Sequence, residues 1–399
     1  MNRSRFIEGP AGSGKTTAAI EHVHTLLRDG VPAEQILILV PARSLGTPFQ
    51  RVQAAPDWPP GAPLDVVTLG GLARRGIELF WPLIARRAGF RDPLREPRFL
   101  TLETAQYYMN RLVAEQIRSG VYDSISVRRG QIIRQTLDNL AKAAVNGFTL
   151  EEVEARLITA WGDRHSSRPP VYRASVDLAR RFRALCQENN LLDFSYQIDL
   201  YARHLLREPQ YRAWFAGQYR HLVADNLEEN VPVVADFIRW AWDALDTALL
   251  VYDRDAGYRV FLGADPSGMA ELADLCQEVE HREPAGVSET PLNALSSTLA
   301  ALLDGARVDE SEPSIEPGLA LSVQTHRFFP QMVDGVVDEI AALVEAGTPP
   351  GEIAVLAPLL GDSLRFELIN RLEERGIRAV SHRPSRALRD EPAARAMLT

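Results

Sequence analysis

Short unbroken apolar runs alternate with helical spacings along the 399 residues. Residues 5–8, Arg-Phe-Ile-Glu, read as a short buried strand, and after a glycine-rich stretch residues 15–28 read as a helix. The run Ile36-Leu37-Ile38-Leu39-Val40 stops at Pro41, and five consecutive apolar residues suit a parallel strand covered on both faces. Residues 64–69 predict a third strand, closed by Gly70-Gly71 and a new helix. From residue 76 to 190 the spacing turns helical, with helices expected at 101–119, 127–146 and 173–188 and no strand among them. Residues 219–225 and 258–262 then predict two further strands, each followed by an acidic turn. A stretch rich in Pro, Ser, Glu and Gly covers 283–318 around one helix at 292–303. Beyond it, helices at 333–346 and 363–375, stopped by Gly347 and Gly376, flank an expected strand at 352–357. Strands alternating with helices predict an α/β fold with a parallel sheet.

This pattern predicts four segments: a sheet domain at 1–75, a helical insertion at 76–190, a return to the sheet at 191–282, and the start of a second α/β domain at 283–399. A chain of this length has room for two or three separate cores. Hydrophobic residues make up 46% and charged residues 24%, as in soluble globular proteins, and no apolar run is long enough to span a bilayer. The opening Met-Asn-Arg-Ser-Arg-Phe-Ile-Glu lacks the apolar core of a secretory signal, so a cytoplasmic address without membrane insertion is expected. Cys186 and Cys276 are too few for a disulfide framework or a four-cysteine metal site, and the histidines show no ligand spacing. The net charge of −9 argues against coating nucleic acid by bulk electrostatics, although local basic strips can still contact phosphates.

The strongest chemical signal is Gly9-Pro10-Ala11-Gly12-Ser13-Gly14-Lys15-Thr16, which matches the P-loop pattern in full between an expected strand and an expected helix. Glycines let successive N–H groups turn into one concavity, and a helix N-terminus adds its positive end toward phosphate oxygens. Gly9, Gly12, Ser13, Gly14, Lys15, Thr16 and Thr17 are therefore expected to hold ATP. Lys15 would reach the terminal phosphates, and Thr16 would offer its hydroxyl to Mg²⁺. Lysine stands only at positions 15 and 142, and in a phosphate loop a compact ammonium fits where a forked guanidinium would not. Such an ATPase also uses carboxylates at the end of a neighbouring strand. Leu222-Val223-Ala224-Asp225-Asn226 offers one carboxylate where two adjacent ones are expected. Either the metal-side position has become Ala224 or the water-activating position has become Asn226, and Asp225 holds the role that remains.

The order of these segments resembles the N-terminal part of superfamily I DNA helicases of the UvrD/Rep type, and of the related helicase–nuclease subunits (AddB-like). The P-loop stands first. Residues 38–43, with Pro41 and Arg43, and residues 67–73, with Thr68, resemble two strand-end turns that contact single-stranded DNA in that family. Leu192-Asp193-Phe194, residues 220–230 and residues 261–266 resemble the segments around the acidic strand and the coupling loop after it. Arg327-Phe328-Phe329 and Ile353-Ala354-Val355-Leu356 resemble the start of a second motor domain. The resemblance implies a RecA-like ATP-dependent motor acting on single-stranded or duplex DNA, with a partner helicase or nuclease subunit. It implies that Arg282 reaches the γ-phosphate. Three departures stand out: the incomplete carboxylate pair, Ser267-Gly268-Met269 where the coupling glutamine is expected, and no segment matching the family's adenine-reading glutamine or its late arginine finger. The alternative reading is an ATP-binding, hydrolysis-deficient subunit that clamps DNA. A small-molecule kinase is also compatible with a P-loop, but the long helical insertion argues against it.

Two other sets of residues weigh less. The doublets Arg74-Arg75, Arg86-Arg87, Arg128-Arg129 and Arg180-Arg181 are expected on solvated helix faces rather than along a phosphate track. Phe80, Trp81, Trp240 and Trp242 are expected to fill cores rather than stack bases.

Overall fold

In a computed structural model, residues 3–54, 58, 61–123, 127–161, 169–283, 291–303 and 320–381 are described. The chain divides into two compact units, Met1–Ser288 and Glu289–Thr399. In the first unit the strands are β1 (Arg3–Gly9), β2 (Ile36–Leu39), β3 (Asp65–Val67), β4 (Arg98–Phe99), β5 (Leu191–Leu192), β6 (His221–Ala224), β7 (Thr247–Asp253) and β8 (Glu278–His281). Its helices are α1 (Lys15–Arg28), α2 (Thr47–Gln53), α3 (Leu69–Ala85), α4 (Leu102–Arg118), α5 (Arg129–Val145), α6 (Leu150–Trp161), α7 (Pro169–Asn189), α8 (Phe194–Leu200), α9 (Pro209–Gln218), α10 (Pro232–Ala241) and α11 (Pro266–Ala270).

Among the described residues, six strands form one sheet in the order β3-β2-β6-β7-β1-β8, with every neighbouring pair parallel. A parallel sheet covered on both faces needs apolar side chains at successive positions, and β2, β6 and β7 supply them. Ile36, Ile38, Val223, Leu249 and Val251 pack on one face with Ala18, Ala19 and Val23 of α1. Leu37, Leu39, Leu222, Ala224, Leu250 and Tyr252 pack on the other with residues of α3, α8 and α10. Two strands, β6 and β7, stand between β1 and β2, so the strand ends around β1, β6 and β7 flank the crevice where open α/β sheets receive ligands.

The helices α4, α5 and α7 appear where the spacing predicts them, α6 stands between α5 and α7 outside the expected helices, and all four lie within the first compact unit. Met109, Val113, Leu137, Leu140, Leu178 and Phe182 share one core with the sheet face that carries Leu37 and Leu250. The expectation of no strand in this stretch is corrected by β4, which pairs in parallel with β5. Two residues of backbone pairing leave no period in the sequence to detect.

The expected strand at 258–262 is not formed. Residues 260–262 make a short 3-10 turn between Gly257 and Gly263, both with positive φ, and Tyr258 and Phe261 are exposed. The strand of this region is β7, whose apolar stretch Ala248-Leu249-Leu250-Val251-Tyr252 precedes that turn. β8 also lies outside the expected strands; as a polar edge strand, Glu-Val-Glu-His, it carries no apolar run.

The second unit holds α12 (Pro291–Leu303), α13 (Phe329–Glu345) and α14 (Asp362–Glu374). Val333, Val337, Ile340, Ala341, Leu372 and Ile377 form a small core between α13 and α14. The expected strand at 352–357 is corrected: residues 353–357 are irregular, and the described residues of this unit contain no strand. Val355 and Leu356 lie exposed, without the paired neighbours that a strand requires. No helix among the described residues is long and apolar enough to cross a membrane.

Candidate functional site

The loop from Gly9 to Gly14 joins β1 to α1 at the C-terminal edge of the sheet. Its glycines answer different constraints. A Cβ on Gly9 would stand 2.4 Å from the carbonyl oxygen of Arg282, so only glycine fits there. Gly12 and Gly14 hold φ of 79° and 76°, the left-handed region that other residues enter at a cost. Gly14 precedes α1 without offering a side-chain cap, which leaves the first N–H groups of a 14-residue helix free for an anion.

Lys15 is nearly buried and folded back over the loop. Its Nζ donates to the carbonyl oxygens of Gly9 (2.8 Å) and Pro10 (2.6 Å), to Ser13 Oγ (3.5 Å) and to Asp253 Oδ2 (3.2 Å). Ser13 Oγ donates to Pro10 O at 2.8 Å, which keeps the loop closed. Thr16 Oγ1 donates to Asp225 Oδ2 at 3.0 Å, bridging the loop to the end of β6 across the intervening strand β7.

Strand alternation explains which residue faces the loop. Ala224 turns into the core shared with Leu39 and Leu250, so Asp225 emerges on the side of α1. Burial pushes the Asp225 carboxyl above the ordinary range, against the hydrogen bonds from Thr16 and from Asn226 N (3.0 Å) and the charge of Lys15. Asn226 then adopts a left-handed conformation (φ 55°), and a 3-10 turn over residues 227–229 brings the chain back beneath the strand ends.

That turn delivers two acids absent from the residues expected at the site. Glu228, only 1% exposed, lines the same cavity as Thr16 and Asp225, and its Oε2 accepts from Asp253 N at 2.9 Å. Burial pushes it up to about 7. Glu229 turns the other way: its carboxylate accepts from the backbone N–H groups of Gly257 (3.2 Å), Tyr258 (2.9 Å) and Arg259 (2.9 Å). The cavity measures about 370 Å³ and is bounded by Ala11, Gly12, Gly14, Lys15, Thr16 and Thr17 on one side, and by Asp225, Asn226, Glu228, Val251 and Asp253 on the other. Three carboxylates against one ammonium make it acidic, so a polyphosphate enters favourably only together with a divalent cation. Thr16 and Asp225, a hydroxyl beside a carboxylate at the cleft wall, are hard oxygen donors of the kind Mg²⁺ takes.

Arg282 follows β8 as a strand-end residue of the first unit. Its Nη1 donates to the carbonyl oxygen of Gly14 at 3.2 Å, and its Nε pairs with Glu280 Oε1 at 2.6 Å. It braces the back of the loop and is not among the residues lining the cavity.

The other expected site residues meet at the ends of β2 and β3. Arg43 and Thr68 line a cavity of about 320 Å³ together with Gln50, Gly71 and Arg75. Arg43 is exposed. Thr68 Oγ1 accepts from Gly71 N at 3.2 Å as the N-cap of α3. The carbonyl oxygen of Pro41 accepts from Arg259 Nη1 at 3.1 Å, tying this ledge to the loop that Glu229 holds. Asp265, expected in the coupling loop, caps α11 by accepting from Gly268 N.

Of the aromatic residues weighed as base-stacking platforms, Trp81 is buried and Phe80, Trp240 and Trp242 are half-buried against the core. Phe80 lies edge-on to Tyr211, Trp240 stacks on Tyr211, and Trp81 donates to Arg95 O. Several of the arginine doublets are paired with acids: Arg75 with Asp65, Arg87 with Glu208, Arg180 with Glu151 and Arg181 with Glu115.

Glu228 and Asp253 were each within reach of the sequence. Asp253 ends the apolar run of β7, and Glu228 sits three residues beyond the expected acidic strand end; both are missed when a second carboxylate is sought only beside the first. Comparison with models of known protein families finds no match for this chain, and no curated protein matches it.

Proposed function

We propose that this chain binds Mg²⁺–ATP in the cleft between the Gly9–Gly14 loop and the ends of β6 and β7, and is the N-terminal motor portion of an ATP-dependent DNA helicase or helicase–nuclease subunit of the superfamily I type. The observation that carries the reading is the contact of Thr16 with Asp225 at 3.0 Å, across a strand order in which β7 lies between β1 and β6. A phosphate loop whose hydroxyl meets a carboxylate from a non-adjacent strand is the arrangement a RecA-like NTPase uses to hold Mg²⁺. When bound, the metal supplies charge neutralisation for the β- and γ-phosphates. The chain's own groups do the rest: α1 presents its free N–H groups, Lys15 exchanges loop carbonyls and Asp253 for phosphate oxygens, and Asp225 holds the metal side through Thr16.

DNA is the substrate class that the second cavity supports. The strands are parallel, so the ends of β2 and β3 open on the same edge of the sheet as the nucleotide cleft. They bring an exposed arginine and polar side chains together there, as a sugar–phosphate backbone requires. Steady-state ATP hydrolysis with and without single-stranded DNA tests the reading. A motor shows turnover that DNA stimulates and Lys15→Ala abolishes. A DNA clamp binds Mg²⁺–ATP with almost no turnover, and a protein that does not bind Mg²⁺–ATP at millimolar concentration removes the proposal altogether.

A further inference from the structure

We infer that Glu228 is the catalytic carboxylate that accepts the proton of the attacking water, an assignment that rests on reading the cleft as a Mg²⁺–ATP site. The second acid that is missing beside Asp225 in sequence is present in space, three residues later. The left-handed Asn226 and the 3-10 turn after it fold the chain so that Glu228 reaches the cavity wall that Thr16 and Asp225 also form.

The four acids near the cleft are committed differently. Asp225 accepts from Thr16 and from its neighbour's amide. Asp253 faces the ammonium of Lys15 and accepts from Asp255 N. Glu229 is saturated by three consecutive amides of the 257–259 loop. Asp225 and Glu228 are both buried on the cavity wall without an ion pair among the described residues, but Asp225 is engaged by the Thr16 hydroxyl on the metal side, which leaves Glu228, with one oxygen fixed by the amide of Asp253. A carboxylate neutralised by a lysine or arginine is a poor proton acceptor, whereas a single backbone amide lowers basicity less than an ion pair does and fixes the aim of the group. In the step, the water oxygen bonds to the γ-phosphorus while one water proton passes to Glu228. The bond from γ-phosphorus to the bridging oxygen breaks with its electron pair leaving on ADP, and Glu228 then returns the proton to the released phosphate.

The test compares wild type, Glu228→Gln and Glu229→Gln on the full chain. Affinity is read by calorimetry with Mg²⁺ and a non-hydrolysable ATP analogue, and chemistry by single-turnover hydrolysis of labelled ATP with single-stranded DNA present. Glu228→Gln is expected to bind the analogue within about threefold of wild type and to lose hydrolysis by about 10²–10⁴-fold, while Glu229→Gln keeps hydrolysis within about tenfold. Should Glu228→Gln not fold, Glu228→Asp retains the charge one methylene short, with affinity unchanged and turnover expected to fall at least about tenfold. Hydrolysis by either Glu228 variant at the wild-type rate overturns the assignment and leaves the nucleotide site standing. A wild-type protein that binds the analogue but hydrolyses nothing also overturns it. A wild-type protein that binds no nucleotide instead fails the reading on which the assignment depends.

Discussion

The two cavities on the C-terminal edge of the first unit's sheet are built on opposite plans. The cleft around Lys15, Asp225 and Glu228 places charges in the interior, each held by backbone or by another charge before any ligand arrives. The ledge around Arg43 and Thr68 places Arg43 in solvent, while Thr68 caps α3 and Arg75 pairs with Asp65. Buried charge is expensive unless paired, so the cleft tolerates few substitutions and binds with defined geometry. The exposed ledge gains from each contact only what solvent and salt allow. Under the proposed function, the first plan suits chemistry and the second suits contact with a polymer.

This contrast predicts a hierarchy of effects. Lys15→Ala removes an ammonium with four oxygen partners and leaves Asp253 facing the cleft without its counterion. It is expected to weaken Mg²⁺–ATP binding by about 100-fold, the worth of one or two charge-assisted hydrogen bonds, as titration with a fluorescent nucleotide would measure. Retention of wild-type affinity would erase the distinction between the two cavities. Asp225→Asn keeps the Thr16 contact but removes the charge, so nucleotide affinity is expected to fall roughly 10–100-fold in Mg²⁺ and to change little in EDTA. Equal losses in both conditions would show that Asp225 serves the loop rather than the metal.

Glu228 gives the cleft a measurable cost. Burial raises its pKa from 4.5 to about 7. Between these values the folded protein keeps a proton that the unfolded chain has released, so its contribution to stability falls as pH rises through this window and remains lost above it. Glu228→Gln removes the penalty. The variant is expected to unfold at higher temperature than wild type at pH 8, by the equivalent of about 1–3 kcal/mol, and at the same temperature near pH 4. Thermal melts at the two pH values decide it; equal melting temperatures at pH 8 would mean that Glu228 is solvated in the folded state.

Much of this cleft was legible in the sequence, and the limits of that legibility have physical causes. The loop, Lys15 and Thr16 could be read because the P-loop pattern fixes residue types over eight consecutive positions. Glu228 and Asp253 could not be assigned in the same way, because their roles depend on how the turn after Asn226 folds and on which strand lies beside β1. Arg282 could be read as a phosphate contact or as a surface residue, and the bond to Gly14 O that defines its place comes from β8, a polar edge strand without a periodic signal. Ile36-Leu37-Ile38-Leu39 and Ile353-Ala354-Val355-Leu356 look alike as apolar runs, yet the first is a fully buried strand between two partners and the second is irregular, with Leu356 exposed. An apolar run makes a strand only where neighbouring backbone is present to satisfy its N–H and C=O groups.

The smallest expected effect lies on the ledge. Arg43 is exposed at the end of β2, at the mouth of the cavity that Thr68 also lines. A phosphate contact by such a side chain is worth little at physiological salt, because water and counterions already screen it. Arg43→Ala is therefore expected to weaken binding of an oligo-dT by about two- to fivefold near 0.15 M salt and to lower the slope of log affinity against log salt by about 1. Mg²⁺–ATP affinity in the absence of DNA should stay unchanged, since no contact among the described residues links Arg43 to the nucleotide cleft. Fluorescence anisotropy across a salt series reads both quantities. A loss of affinity with an unchanged slope would mean that Arg43 shapes the ledge rather than touching phosphate, and a loss as large as that of Lys15→Ala would mean that the ledge is organised as rigidly as the cleft.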